Sequence, residues 1–441
     1  MLLTRLVNIK PGEVRAALWS CLYFFCILAS YFILRPIRDE AGVAGGIRNL
    51  PWLFTATMIG MLLVNPAFAA LVARFQRSKF VPMAYRFFIL NLIVFFFLFT
   101  QLGESSQIWV GRVFYVWTSV FNLFVVSVFW GFMADSFSSE QAKRLFGFIG
   151  VGGTLGSALG SAVTATFVSV IGTAGLLIVS AVLLEIAVQC VNRLAGQFAG
   201  AKDSATGAKA PPPQPIGGGI WDGVRNVIKS PYLLGIAGYM MLYTIGSTFL
   251  YFQQAGIVEA AYQEREARTA LFAKIDLATN LITAFVQMFI TGRLMLWLGV
   301  AGALTVVPIL SILGFLSLGF FPSVAVLVAF QVARRAGNFA VARPSREVLY
   351  TVVSREDKFK AKSFNDTFVY RLGDQVGAWA DPLLKGLGLS MTGIALVAAP
   401  ISAIWMVVGY WLGRRQAQMA AEQGLVNAPP VERSVIPATP G

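Results

Sequence analysis

The sequence predicts an all-α membrane protein of about twelve transmembrane helices, arranged as two six-helix pseudo-repeats. Three observations carry that expectation. Of the 441 residues, 57% are hydrophobic and 13% charged, with a mean hydropathy of +0.70, which is more apolar surface than one soluble core of this length can hide. Nearly all the apolar runs are about 18 to 25 residues long and stop at Gly, Pro or a basic cluster, the length a helix needs to cross the hydrocarbon. None shows the every-second-residue alternation of a membrane barrel.

In chain order the spans are expected at 16–35, 52–73, 82–102, 110–134, 146–169 and 173–193, then at 232–254, 269–291, 295–318, 322–342, 363–385 and 391–413. The first follows Arg5, Lys10, Pro11, Gly12 and Arg15, and the second ends in Arg74, Arg77 and Lys79. The fifth opens after Lys143 and Arg144 and holds Gly152, Gly156 and Gly160 at intervals of four, a stripe that lets two helix backbones approach. After the sixth comes Leu194 to Ser230, with Arg193, Lys202, Lys209, Arg225 and Lys229 around Pro211-Pro-Pro and Gly217-Gly-Gly, a composition that reads as a flexible linker. Lys358, Lys360 and Lys362 precede the eleventh span, and Arg414 and Arg415 follow the twelfth. The expected division is therefore an N-terminal half at 1–193, a linker at 194–230, a C-terminal half at 231–415 and a disordered tail at 416–441. A weak internal echo, Ser138-Ser-Glu140 against Ser354-Arg-Glu356, supports two related halves.

The basic residues follow alternate loops, whereas the third, fifth and ninth loops are nearly free of Lys and Arg. The positive-inside rule then places both termini and the linker in the cytoplasm of a multi-pass bacterial inner-membrane protein. No cleavable signal is expected from the long, charged leader. A net charge of +14 spread over loops argues against nucleic acid as a partner. The absence of histidine removes His-based acid–base catalysis, the Ser-His triad and most zinc or haem ligation, and no cofactor, metal or enzyme role is expected. Cys21, Cys26 and Cys190 lie inside apolar runs and read as packing residues.

Charge within a bilayer costs about 2.5 to 3.5 kcal/mol per residue on insertion scales, so intramembrane polar residues usually face a cavity or a partner. Helical spacing of 100° per residue groups Tyr31 and Arg38 on the first span, with Asp39 behind them, and Arg112, Tyr115 and Asn122 on the fourth. The seventh carries Tyr239 and Tyr243, the eighth Asp276 and Asn280, and the tenth Arg334, Arg335 and Asn338; on the eleventh Asp366, Tyr370, Asp374 and Asp381 share a face, with Arg371 one turn from Asp374 and able to pair with it. Two readings stay open. In one, the charges neutralise each other and hold the bundle together; in the other, the arginines bind an anionic solute while Asp39, Asp276, Asp366 and Asp374 carry protons or exchange partners during alternating access.

Three stretches point to a family. Tyr31-Phe-Ile-Leu-Arg35-Pro-Ile-Arg38-Asp39, Glu140-Gln-Ala142-Lys143-Arg144-Leu-Phe-Gly-Phe-Ile-Gly, and the run from Arg346-Glu347 through Lys360-Ala-Lys362 to Tyr370-Arg371-Leu-Gly373-Asp374 resemble motifs of the ATP/ADP translocase (nucleotide transporter) family. The wider architecture resembles the major facilitator superfamily. The resemblance implies a nucleotide-binding role for two family lysines, at the positions of Arg38 and Asp374. Arginine keeps the charge and adds a fork that matches phosphate, whereas aspartate reverses it. The expected function is secondary transport of an organic anion, a nucleotide or another phosphorylated solute among the candidates, by a monomer with protons as a candidate coupling ion. A drug or lipid exporter of the same fold and an integral-membrane enzyme are the alternatives.

Overall fold

A computed structural model describes residues 9–74, 77–203, 227–354, 361–362 and 364–423. After a short 3₁₀ turn, Pro11–Glu13, the first half comprises α1 (Val14–Ala44), α2 (Leu50–Arg74), α3 (Arg77–Gln101), α4 (Glu104–Ser136) and α5 (Ser139–Asp203). The second comprises α6 (Pro231–Ala261), α7 (Arg265–Phe289), α8 (Thr291–Phe320), α9 (Val324–Gly337), α10 (Arg343–Leu349), α11 (Tyr370–Gly386) and α12 (Met391–Glu422).

Helix α5 is long enough for two crossings and breaks at Gly172, whose φ of 68° only glycine adopts without strain. Helices α9 and α10 are joined by a π-helical turn, Asn338–Ala342, and together make one crossing. Among the described residues ten helices are long and apolar enough to span a membrane. The double length of α5 adds an eleventh crossing. The twelfth is α11, too polar to stand in that count because it carries Arg371, Asp374 and Asp381. The expected twelve spans are thus all present as helices, with different ends. The tenth runs on to Leu349, the eleventh begins with a second π-helical turn, Asn365–Val369, and α12 continues past 413 to Glu422. Residues 194–203 continue α5, while the rest of the expected linker up to residue 226, and the tail from 424, lie outside the described residues.

Small residues set the helix spacing. A Cβ on Gly152, Gly156 or Gly160 would collide with the main-chain oxygens of Cys21, Phe25 and Ala29, so α5 rides directly on the backbone of α1. In the second half Gly373 and Gly377 of α11 meet Thr244 and Thr248 of α6, and Gly413 of α12 meets Ala301 of α8. The exposed side chains are apolar around the girth, Leu63, Phe87, Leu155, Met288, Leu296 and Leu383 among them, as a lipid-facing surface requires.

At the end opposite the termini the halves are tied together. Glu40 of α1 accepts from Arg265 Nε (3.1 Å) and Arg268 Nη2 (2.9 Å) of α7. Thr55 of α2 donates to Gln375 of α11 (2.9 Å) and accepts from Trp379 Nε1 (3.2 Å), beside an edge-on Trp52–Trp379 pair. Phe54 packs on Tyr251 and Phe252.

Candidate solute cavity

Beneath that seal lies a cavity of about 250 Å³ between the halves, lined by Arg38, Phe54, Thr57, Tyr115 and Ser119 from the first half and by Ser247, Thr248, Tyr251, Tyr370, Arg371, Asp374 and Gln375 from the second. Its chemistry is cationic and aromatic. Arg38 is held by its neighbour, Nη2 lying 2.9 Å from Asp39 Oδ1, and its guanidinium stacks over the Tyr115 ring at 4.8 Å. Tyr251 crosses from the other half to donate to Asp39 Oδ1 at 3.3 Å. Opposite, Arg371 Nη1 lies 3.2 Å from Asp374 Oδ2, one turn away on α11. The close seating of Gly373 and Gly377 on α6 is what brings this polar helix against the cavity.

Two further arginines sit on α9. Consecutive residues on a helix diverge by about 100°, and these two do not act as a pair. Arg334, 2% exposed, donates to Ser311 Oγ (3.0 Å), Ser247 Oγ (2.8 Å) and the Tyr243 carbonyl (2.9 Å), with the Tyr243 ring 4.9 Å below its guanidinium. Among the described residues no carboxylate lies within ion-pair distance of it. Arg335 turns instead to α7, where Nη1 lies 2.6 Å from Asp276 Oδ1. The same oxygen takes Arg35 Nη1 of α1 at 3.0 Å. Among the described residues, four of these five arginines pair with three aspartates and Arg334 pairs with none, a surplus of positive charge.

Of the residues singled out by helical spacing, Arg38, Tyr115, Arg371 and Asp374 line the cavity. Asp39, Tyr243 and Arg334 stand directly behind it, Asp276 and Arg335 pair with each other, and Asn280 lies one turn from Asp276 on α7. Others are placed elsewhere. Arg112 faces a second, mainly apolar groove between α2 and α4, donates to the Gly45 carbonyl at 3.0 Å and stacks on Trp109, so it anchors the first interhelical turn. Tyr239 is buried within the second half, donating to the Leu304 carbonyl at 2.8 Å with its ring beside Trp405. Asp366 is half exposed, 3.9 Å from Arg346. Asn122 is half-buried on α4 away from the lining, and Asn338 is buried in the π-helical turn, whereas Tyr31, its ring edge-on to Phe32, stays close to Arg35 and Arg38 on α1.

Arg35, Tyr251, Gln375 and the Glu40–Arg265–Arg268 tie were missed, whereas Tyr370, on the face that helical spacing shares with Asp374, does line the cavity. Two had a signal. Arg35 lies one turn before Arg38, and Tyr251 follows Tyr243 and Ser247 at the same interval of four.

A helical bundle of two halves around a charged cavity is an architecture that secondary transporters adopt. No protein-family model matches the sequence. The chain is similar to ADP,ATP carrier protein 1 of Chlamydia trachomatis serovar D, at 21% identity over 95% of both chains, and to that of Chlamydia pneumoniae, at 20% over 90% of this chain and 91% of the other. The solved structures it resembles include the POT-family transporter PepTSo, with a TM-score of 0.63 at 12% identity over 92% of this chain and 98% of that one. The nucleoside transporter NupG gives 0.57 at 13% identity over 93% and 99%. The major-facilitator fold and the resemblance to nucleotide transporters read from the sequence are borne out by these likenesses.

Proposed function

We propose that the chain carries a phosphorylated organic anion of nucleotide type across the membrane by alternating access, and that the cavity between Arg38 and Arg371 receives it. The observation that carries this reading is the lining itself: a guanidinium from each half, with Tyr115, Tyr251 and Tyr370 able to stack on a planar group. The carrier names of the chlamydial relatives support it. Asp374 holds Arg371 in place, and with Asp39 and Asp276 it is the candidate for proton coupling. The protein works as a monomer in a bacterial inner membrane with both termini and the central linker cytoplasmic, and it needs no enzyme activity.

Counterflow in proteoliposomes tests this. Vesicles preloaded with ADP, a sugar phosphate or a dicarboxylate should accelerate uptake of labelled nucleotide. Uptake of apolar drugs or lipid with no response to any anion would instead favour an exporter. Reporter fusions should place both termini inside, and a periplasmic C-terminus would overturn the topology.

A further inference from the structure

Asp276 of α7 is unusual in how it is satisfied. Asp276 is 2% exposed, yet among the described residues only one of its oxygens is used: Oδ1 accepts from Arg35 of the first half and Arg335 of the second, while Oδ2 is buried with no partner. Asn280 Nδ2 and Thr283 Oγ1, one and two turns further along the same face of α7, are also buried without partners among the described residues. A permanent structural ion pair is normally built so that both carboxylate oxygens are bonded, because an orphaned buried acceptor keeps its desolvation penalty. This one joins two guanidiniums with a single oxygen and leaves the set one positive charge in excess. The arginines also remain open where the aspartate does not, at 21% and 15% exposure against 2%.

We propose that Asp276 is a tethered stand-in for the anionic group of the solute, and that Arg35 and Arg335 form an anion subsite which it occupies when no solute is bound. A phosphate or carboxylate of the solute, carrying more acceptor oxygens than the one Asp276 supplies, would displace it while keeping the bridge between the halves. The subsite is separate from the lining between Arg38 and Arg371. The inference rests on the anion reading above but makes a demand of its own: the carboxylate competes with the solute, so removing it should strengthen binding.

The experiment measures binding of pyrophosphate, inorganic phosphate and ADP to the purified full-length protein by calorimetry, beside counterflow in proteoliposomes. Asp276→Asn should bind these anions more tightly, by about 5- to 150-fold, the usual range for a coupling of this kind, and should exchange them more slowly because release is hindered. Arg35→Gln and Arg335→Gln should each weaken binding. An aspartate that merely holds the bundle together predicts the opposite sign, so unchanged or weaker binding in Asp276→Asn overturns the proposal. If that variant fails to accumulate, full-strength binding in Arg335→Gln overturns it equally. If the native chain binds none of the three anions, the anion reading itself falls, and this inference falls with it.

Discussion

Replacing Glu40 with glutamine should loosen the end of the bundle that the two halves now hold shut. Glu40 is 1% exposed and takes two guanidiniums, Arg265 at 3.1 Å and Arg268 at 2.9 Å, both from the opposite half. The Arg265 side chain is 34% exposed, and its pair is worth under about 1 kcal/mol after screening by solvent. The Arg268 side chain is 10% exposed, so losing its carboxylate leaves a buried charge uncompensated, a cost of about 3 to 5 kcal/mol. At the lower bound, about 3 kcal/mol shifts the closed-to-open ratio by roughly a hundredfold. The assay places a single cysteine in the cavity, Ser119→Cys, in a chain whose Cys21, Cys26 and Cys190 are replaced by alanine. An impermeant maleimide is then applied from the side opposite the termini. Labelling should rise steeply with Glu40→Gln, and Arg268→Leu added to it should bring labelling part of the way back. A Glu40→Gln protein that accumulates normally and labels no faster than its parent refutes the seal.

Three further outcomes follow from the geometry. Arg334→Met keeps an unbranched stem but removes a cation that no carboxylate balances among the described residues; it should leave the melting temperature nearly unchanged and lower solute affinity by tenfold or more, of order 1.4 kcal/mol, in a binding titration. Gly156→Leu should abolish accumulation in the membrane, because its side chain would have to occupy the main chain of α1 at Phe25, whereas Gly147→Leu, with open space around it, should accumulate normally on a fluorescence size-exclusion profile. Glu13, before the first span, is held at a pKa of about 2 by its hydrogen bonds from Arg144, with help from Gln141. A depressed pKa means the contribution is complete above about 4.5 and fades as pH falls toward 2, so the gap in melting temperature between the native chain and Glu13→Gln should close over that interval and stay constant above it.

What the sequence made legible was whatever depends on one helix at a time. Span length and loop charge fix where the chain crosses the bilayer, and the glycine interval on α5 announces a close neighbour, since both are local properties of a 1.5 Å rise. The neighbour's identity was not legible: nothing in Gly152, Gly156 and Gly160 names Cys21, Phe25 and Ala29. The same limit governs the site. Spacing put Arg38 and Tyr115 on plausible faces, but their contact, one guanidinium over one ring, joins two helices. It put Arg112 on the Tyr115 face as well. There the two part because Arg112 is close to the start of α4, where the carbonyl of Gly45 and the ring of Trp109 capture its guanidinium.

The adjacent arginines of α9 show how chain proximity can mislead and what replaces it. Side by side in sequence, Arg334 and Arg335 invite one anion for two cations, yet the helix turns them about 100° apart. Arg334 is thereby given to α6 and α8, where hydroxyls and a carbonyl satisfy its hydrogen bonds without touching its charge. Arg335 is given to α7, where one aspartate oxygen must serve it and Arg35 together. A bundle selected only for stability gains nothing from this division, because apolar residues of similar volume would pack as well without the desolvation cost. Keeping both cations under-neutralised makes physical sense where the missing negative charge arrives from outside. In that arrangement the solute's own charge relieves the excess on each side of the interface, which ties its binding to the contact between the halves that must change for it to cross.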